Sequence, residues 1–572
     1  MQLFKWTTLL VSLMLLGMSS TISVMAQVPP LPPPNSPQRD PLPTPRPVPQ
    51  PIPEVPVEPP SSPPVTPPPV LPQGEEIPDT LTIEQFQFEG NTAFTDAELT
   101  NVIEAYINRP ITFAELLQAE AVITQFYIDA GYVNSGALLP ANQNLSDGIV
   151  TLRIVEGGVD EINISGNGRL NADYIRSRIA RKTKTPFNVN QLIEALQLLQ
   201  LNPLIDQISA ELAAGTRPEQ SSLNVTVTVA DTFSVDLFLD NGRTPSVGSF
   251  RRGITVTEAN LLGFGDQISA TYANTDGSNR YDANYTFPYN SSNGTIRFDF
   301  YGNDSDVIEE PFDRLDITGE SQQYSLTIRQ PIYQTPRQDL ALGLILSHEN
   351  SQTTILGEEE PLSAGADENG KTRISAVRFF QDYLRRDARS VFAVRSQFSI
   401  GVDLFDATNN TEAPDGQFVA WRGQGQYVRL LAPETLLVLR SDIQFASRPL
   451  LALEQFALGG YQSVRGYRQD LLLSDNGILL SAEALFPITE IGENGILQVY
   501  PFLDFGTAWN SGDRENPVDS TLLGTGIGLQ LRLGETLTGR IEYGIPLIDV
   551  ETRDKGTLQE DGLYFSLIVT PF

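Results

Sequence analysis

The sequence predicts a membrane all-β fold with an α+β front end: a 16-stranded transmembrane β-barrel over residues 232–572, preceded by two small modules in tandem. Two observations predict the barrel. From Phe233 onward the helical period is gone and short segments of alternating polarity recur to the last residue. Beyond the N-terminus no apolar run reaches the roughly 18 residues of a helical span. A third predicts the front end, where one order of strands and helices occurs twice between residues 77 and 231.

The barrel segment numbers 341 residues and holds sixteen candidate strands, from 232–241 to 561–572. That is about 21 residues per strand and connection, enough for strands of about 10 residues joined by alternating short turns and long loops. Leu340-Ala341-Leu342-Gly343-Leu344 shows the weak alternation expected where one face meets lipid. Closure follows from chemistry, because every backbone N–H and C=O at membrane depth must be paired within the protein.

The N-terminus combines Lys5, an apolar core Leu9–Met18 and the small-residue site Val24-Met25-Ala26, the pattern of a signal peptide over residues 1–26. Residues 27–76 form a proline-rich disordered linker: Pro29 to Pro72 contains 22 of the 42 prolines, a composition suited to extended spacers rather than a core.

Residues 77–156 and 157–231 each read strand, helix, helix, strand, strand. In the first, Thr82–Glu89 alternates, Thr95 caps a helix, a second helix follows from Phe113, and strands near 134–139 and 148–156 close the unit. The second repeats this order, with Gly166-Asn167 placed 76 residues after Gly90-Asn91.

Composition removes whole classes of function. Acidic residues outnumber basic ones 70 to 38, and a net charge of −32 argues against nucleic acid as a partner. With no cysteine and only one histidine, thiol nucleophiles, disulfides and most histidine-centred chemistry are gone. His348 is assigned no role, no cofactor or metal is expected, and the chain is not expected to be an enzyme. The acidic stretches Gly357–Glu360 and Asp367-Glu368 read as solvated loop charge. Gly524-Thr525-Gly526-Ile527-Gly528 lies in a strand and opens no helix, so it reads as barrel packing rather than a phosphate loop.

The repeated β-α-α-β-β unit resembles the polypeptide-transport-associated (POTRA) domain. Sheet edges in such a unit can accept a partner's strand. In the barrel, Val464-Arg465-Gly466-Tyr467 between strands 11 and 12 resembles the signature of the sixth extracellular loop of the outer-membrane-protein-85 superfamily. Phe502-Leu503-Asp504-Phe505-Gly506 matches that family's aromatic-x-Asp-x-Gly strand motif, carried by Phe502, Asp504 and Gly506. Asn260–Asp266 resembles its turn near the first barrel strands and is read as shaping a hairpin. The resemblance implies a loop folded into the lumen whose arginine meets carboxylates on the wall. Alternation puts Asp504 and Glu483 on the lumen side, with Asp504 the preferred partner and Glu483 the secondary one. The terminal aromatic residue Phe572 resembles the signal by which such barrels are recognised by the assembly machinery.

Two POTRA units before a 16-stranded barrel look like the transporter half of two-partner secretion. That resemblance implies an outer-membrane location, periplasmic modules, lipid around the barrel, and an exported exoprotein with a β-helical secretion domain. One departure stands out: relatives often place a plug helix before the first module, where this chain has a proline-rich tract that cannot form one. An assembly factor of the same superfamily and a passive pore are the alternatives.

Overall fold

The computed structural model describes residues 55–58, 80–141, 143, 147–215, 217, 219–550 and 556–571. The signal-peptide segment, the rest of the proline-rich tract and Phe572 lie outside the described residues.

The first module comprises β1 (Gln85–Glu89), α1 (Asp96–Val102), α2 (Phe113–Asp129), β2 (Gly136–Leu138) and β3 (Ile149–Val155). Thr95 and Thr112 start the two helices with reciprocal capping boxes to Glu98 and Glu115. The apolar faces of both helices close over the sheet around Leu99, Leu116, Ile123 and Tyr127. The second module repeats the order with β4 (Gly158–Ser165), α3 (Ala172–Ala180), α4 (Val189–Gln200), β5 (Ile205–Ala214) and β6 (Gln220–Val229). Here the tract departs from a plain spacer: Val57–Glu58 pairs with β5, and Val55 and Val57 pack on the module's core. Average composition hides two valines spaced by one residue, which is all a short edge strand needs.

The barrel contains sixteen staves, β7 (Phe233–Asp240), β8 (Arg251–Glu258), β9 (Gln267–Asn274), β10 (Ser278–Pro288), β11 (Thr295–Asp306), β12 (Thr318–Gln334), β13 (Gln338–Ile355), β14 (Lys371–Arg386), β15 (Ser390–Val402), β16 (Val419–Ala432), β17 (Thr435–Ala446), β18 (Asn476–Ile491), β19 (Gly495–Trp509), β20 (Thr521–Leu533), β21 (Leu537–Pro546) and β22 (Leu563–Val569). All neighbours are antiparallel and β22 closes onto β7; a two-residue ribbon, Glu358–Glu359, extends the end of β13. Each segment read from the sequence is a stave. Several are longer than about 10 residues because pairing continues past the membrane into the loops, as in the 18-residue β13.

Alternation along each stave sorts side chains. Ile527 and Leu529 of β20 are exposed outward, whereas Gly528 and Gln530 are buried inward. The inward set elsewhere is laced with arginine–carboxylate pairs such as Arg395–Asp382 and Arg422–Asp442 at 2.7 Å.

The second module is fastened to the barrel through the turn 259–266. Arg169 donates to Glu258 and to the Asn260 carbonyl at 2.7 Å, and the Asn171 amide donates to the Gly263 carbonyl at 2.8 Å. Within the turn, Asp266 accepts from the Leu262 amide and the Tyr285 hydroxyl at 3.0 Å. The hairpin reading of Asn260–Asp266 therefore extends to a docking contact.

Glu156 locks the end of the first module, accepting from the Thr92 and Ala93 amides at 2.6 and 2.7 Å, the Tyr127 hydroxyl at 3.1 Å and the Thr92 hydroxyl. Burial pushes this carboxyl up, but the four donors outweigh burial and hold it below the usual range. The folded state therefore gains from its ionisation above the unfolded value, and that gain disappears as pH falls through the folded pKa. Glu156→Gln should cost about 1 kcal/mol of local stability at pH 7.5 after screening, measured by hydrogen exchange of the Val150 and Leu152 amides. The difference from wild type should shrink towards zero below pH 4.

Candidate functional site: a loop locked inside the barrel

Residues 447–475 join β17 to β18 and fold back into the barrel. They carry a 3-10 turn, Ala452–Glu454, and a ribbon pairing Phe456–Leu458 with Leu472–Ser474. The tip between the ribbon strands lies against the inner wall formed by β18 to β22.

Arg465 is the centre of that contact. Its Nε and Nη2 donate to the two oxygens of Asp504 at 2.7 and 2.9 Å, and its own amide donates to Asp504 Oδ2 at 3.2 Å. This is a fork-to-carboxylate pair, the geometry for which arginine is suited. Nη1 lies 2.8 Å from Glu483 Oε1 and 3.4 Å from Glu542 Oε2; both are close ion pairs without hydrogen-bond alignment. The Phe502 ring lies under the guanidinium, 3.6 Å from its carbon. Arg465 is 3% exposed and Asp504 is fully buried.

The surroundings complete the balance. Ser481 donates to Asp504 at 2.7 Å, Tyr500 donates to Glu542 at 2.5 Å, and Arg440 stands 3.8 Å from Glu483. Arg540, which donates to Gln530 at 2.7 Å, adds positive charge near Glu483 and Glu542. Three guanidinium groups thus face three carboxylates. Isolated, Arg465 or any of the three carboxylates would be a costly charge at such burial, whereas Arg440 is partly exposed.

The residues around Arg465 fix its approach. Val464 enters the apolar cluster of Phe456, Leu458, Leu479, Ala508 and Leu522. Gly466 has φ +98°, and a Cβ there would meet the Pro546 nitrogen at 2.8 Å. Its amide donates to the Tyr564 hydroxyl at 2.9 Å, which donates in turn to the Tyr467 carbonyl at 2.7 Å. The Tyr467 hydroxyl donates to the Ile548 carbonyl at 2.8 Å. On the wall, Gly506 leaves room for Val464, which a Cβ would meet at 2.8 Å, and a Cβ on Gly524 would meet the Arg465 carbonyl oxygen at 2.0 Å. Arg468 makes a second anchor, bridging Glu309 at 2.5 Å and Glu560 at 2.9 Å.

The structure thus brings Val464, Arg465, Gly466, Tyr467, Glu483, Phe502, Asp504 and Gly506 into one site. Phe572 lies outside the described residues. Sequence reasoning missed Glu542, Tyr564 and the anchor at Arg468. Glu542 was detectable by the parity that singled out Asp504, since it alternates with the outward Ile541 and Tyr543 of β21. The Gly524 segment is packing: Gly524 takes the Arg465 carbonyl of the loop, while Gly526 and Gly528 take Phe502 and Tyr500 from the neighbouring stave.

Fold and site together define a class: a closed 16-stranded barrel preceded by two β-α-α-β-β modules, with a loop that occupies its own lumen. Comparisons with known proteins make this specific. Residues 219–531 match the family described as haemolysin secretion/activation protein ShlB/FhaC/HecB, and residues 81–157 match the ShlB-type POTRA domain. The outer membrane transporter CdiB of Dickeya dadantii is 21% identical over 484 residues, covering 82% of this chain and 83% of the relative. The heme/hemopexin transporter protein HuxB of Haemophilus influenzae is 21% identical over 425 residues, covering 72% of each. The solved structure of CdiB from Escherichia coli superposes with a TM-score of 0.68 at 21% identity, covering 89% of this chain and 94% of that one. The chain belongs to the haemolysin secretion/activation family.

Two substitutions separate the roles of the carboxylates. Asp504→Asn removes the doubly bonded partner of Arg465 and should lower unfolding stability in lipid vesicles by about 3 kcal/mol. Glu542→Gln, whose approach to Arg465 is 3.4 Å and which keeps an oxygen to accept from Tyr500, should cost less, about 1 kcal/mol. Equal losses would mean that the charge cluster, not the fork pair, holds the loop. Gly524→Ala should displace the loop without touching a charge, and limited proteolysis should then cut within 459–471 where the wild type resists.

Proposed function

We infer that the protein is the outer-membrane transporter of a two-partner secretion system, taking an extended exoprotein from the periplasm and passing it through the barrel. The observation that carries this reading is a lumen filled by a loop of the same chain, held by Arg465 on Asp504. A passive pore has no use for such a loop or for docking modules. A general assembly factor hands strands to its own seam and usually carries more modules than the two seen here.

The chemistry suits an extended client with a β-helical secretion domain. Sheet edges of the two modules offer backbone partners without demanding a side-chain sequence. No nucleotide is available in the periplasm, so folding of the client outside must supply direction. Arg465 acts as the latch: with it seated the lumen is occupied, and a passing chain must displace the tip from the wall of β18 to β22. Phe572 serves barrel assembly rather than transport.

Deleting the coding region and comparing medium and outer membrane by quantitative proteomics tests the reading. Selective loss of one or two large secreted proteins, with other barrels at normal levels, is expected. A general fall in outer-membrane barrels would instead make the chain an assembly factor. In planar bilayers, Arg465→Ala should raise the fraction of time spent in large-conductance states several-fold, and unchanged conductance would remove the latch role.

A further inference from the structure

The sheet of the second module runs Val57–Glu58, β5, β6, β4. The first of these strands comes from the proline-rich tract and lies parallel to β5, with Val57 opposite Ala210 and Glu58 opposite Glu211. The Ala210 amide donates to the Pro56 carbonyl at 3.2 Å. Val55 and Val57, two residues apart and so on one face, pack on the apolar core of the module, while Pro56 between them is exposed. Between residues 29 and 72 this is the one place where two apolar residues are spaced in this way.

The contact is short. It covers two register positions of a ten-residue strand, and that side of β5 pairs with no other strand among the described residues. Towards Asp206 the Gln200 side chain already caps this edge, donating to the Asp206 carbonyl and accepting from the Ile208 amide at 2.9 Å. A longer extended segment would therefore gain by pairing beyond Glu211, where no strand among the described residues covers β5, and could exchange with the strap bond for bond. Proline also suits a strap, because without an N–H it gives a further strand less to pair with.

We propose that Val55–Glu58 is a built-in competitor for the exoprotein: it covers the edge of β5 to which an extended client segment adds, and the client loads by displacing it. This rests on the transporter reading. The strap screens out weak, short β-strands, since only a segment that pairs along more of β5 gains by exchange.

The test uses the full chain in lipid nanodiscs and a fluorescent peptide copying residues 52–60. In Val55→Asp/Val57→Asp the strap is released, so the Ala210 amide should exchange faster and the peptide should bind about tenfold more tightly, as expected where a site mostly closed becomes open. Equal peptide affinity for variant and wild type would overturn the proposal. A second variant guards against misfolding. The chain has no cysteine, and residues paired across strands about 4.8 Å apart lie within disulfide reach, so Glu58→Cys/Glu211→Cys locks the strap down. In cells, secreted proteins lost on deleting the chain should also be lost with the oxidised lock and return on reduction. Normal secretion with the lock closed sinks the strap while leaving the transporter intact. If deletion removes no secreted protein, the transporter reading fails, and the nanodisc measurement still decides whether the strap covers β5.

Discussion

In the hydrocarbon of a membrane no water is available to satisfy a peptide group, and the whole architecture follows from that constraint. Sixteen antiparallel staves pair around a closed ring. Because successive side chains alternate, closure forces each stave to send one set to lipid and the other to the lumen. The charged side chains that the staves carry therefore accumulate inside, where arginine–carboxylate pairs lace the wall, while the outward face keeps small polar groups such as Ser396, which accepts from the Trp421 indole at 3.1 Å. The ring is weakest where it closes: β7 and β22 share four register pairs, against fifteen or more between the longest staves.

A polar lumen is also what makes an internal loop possible. The tip around Arg465 is charged and hydrogen-bonded, so it could not sit in an apolar cavity, yet against Asp504, Glu483 and Glu542 it meets a surface of opposite sign. Buried ion pairs of this kind contribute little net stability compared with an apolar replacement, but breaking one side is costly. Such a contact specifies position more than it adds strength. That is the behaviour wanted of a latch, which must hold one geometry firmly and still be exchangeable for another set of polar contacts.

Much of this was legible in the sequence because a β-barrel leaves a period-2 record of which face each residue occupies. That record identified the staves and placed Asp504 and Glu483 on the inner side. Parity gives a face, however, and not a partner. Glu542 and Tyr564 carry the same inward signal but belong to staves whose nearness to the loop depends on ring closure, which no local pattern encodes. Gly524 looked like packing because a missing side chain does not announce what fills the space. The reading of residues 27–76 as a linker failed locally for a different reason: twenty-two prolines dominate the composition, while the strand-forming signal resides in two valines.

The strap on β5 and the loop in the lumen obey one physical logic. Each is a segment of the chain occupying a surface suited to a client, and each uses contacts that a client can replace in kind, backbone bonds at the sheet edge and polar groups in the lumen. Replacement in kind keeps the free-energy difference between occupied and loaded states small, so neither step needs an external energy source to proceed. Arg169 and Asn171 then matter beyond stability, because by tying the second module to the turn 259–266 they fix the position of β5 relative to the barrel. A client segment released from that edge begins at a set place beside the barrel rather than diffusing from an unconstrained tether, which raises its effective concentration at the next step.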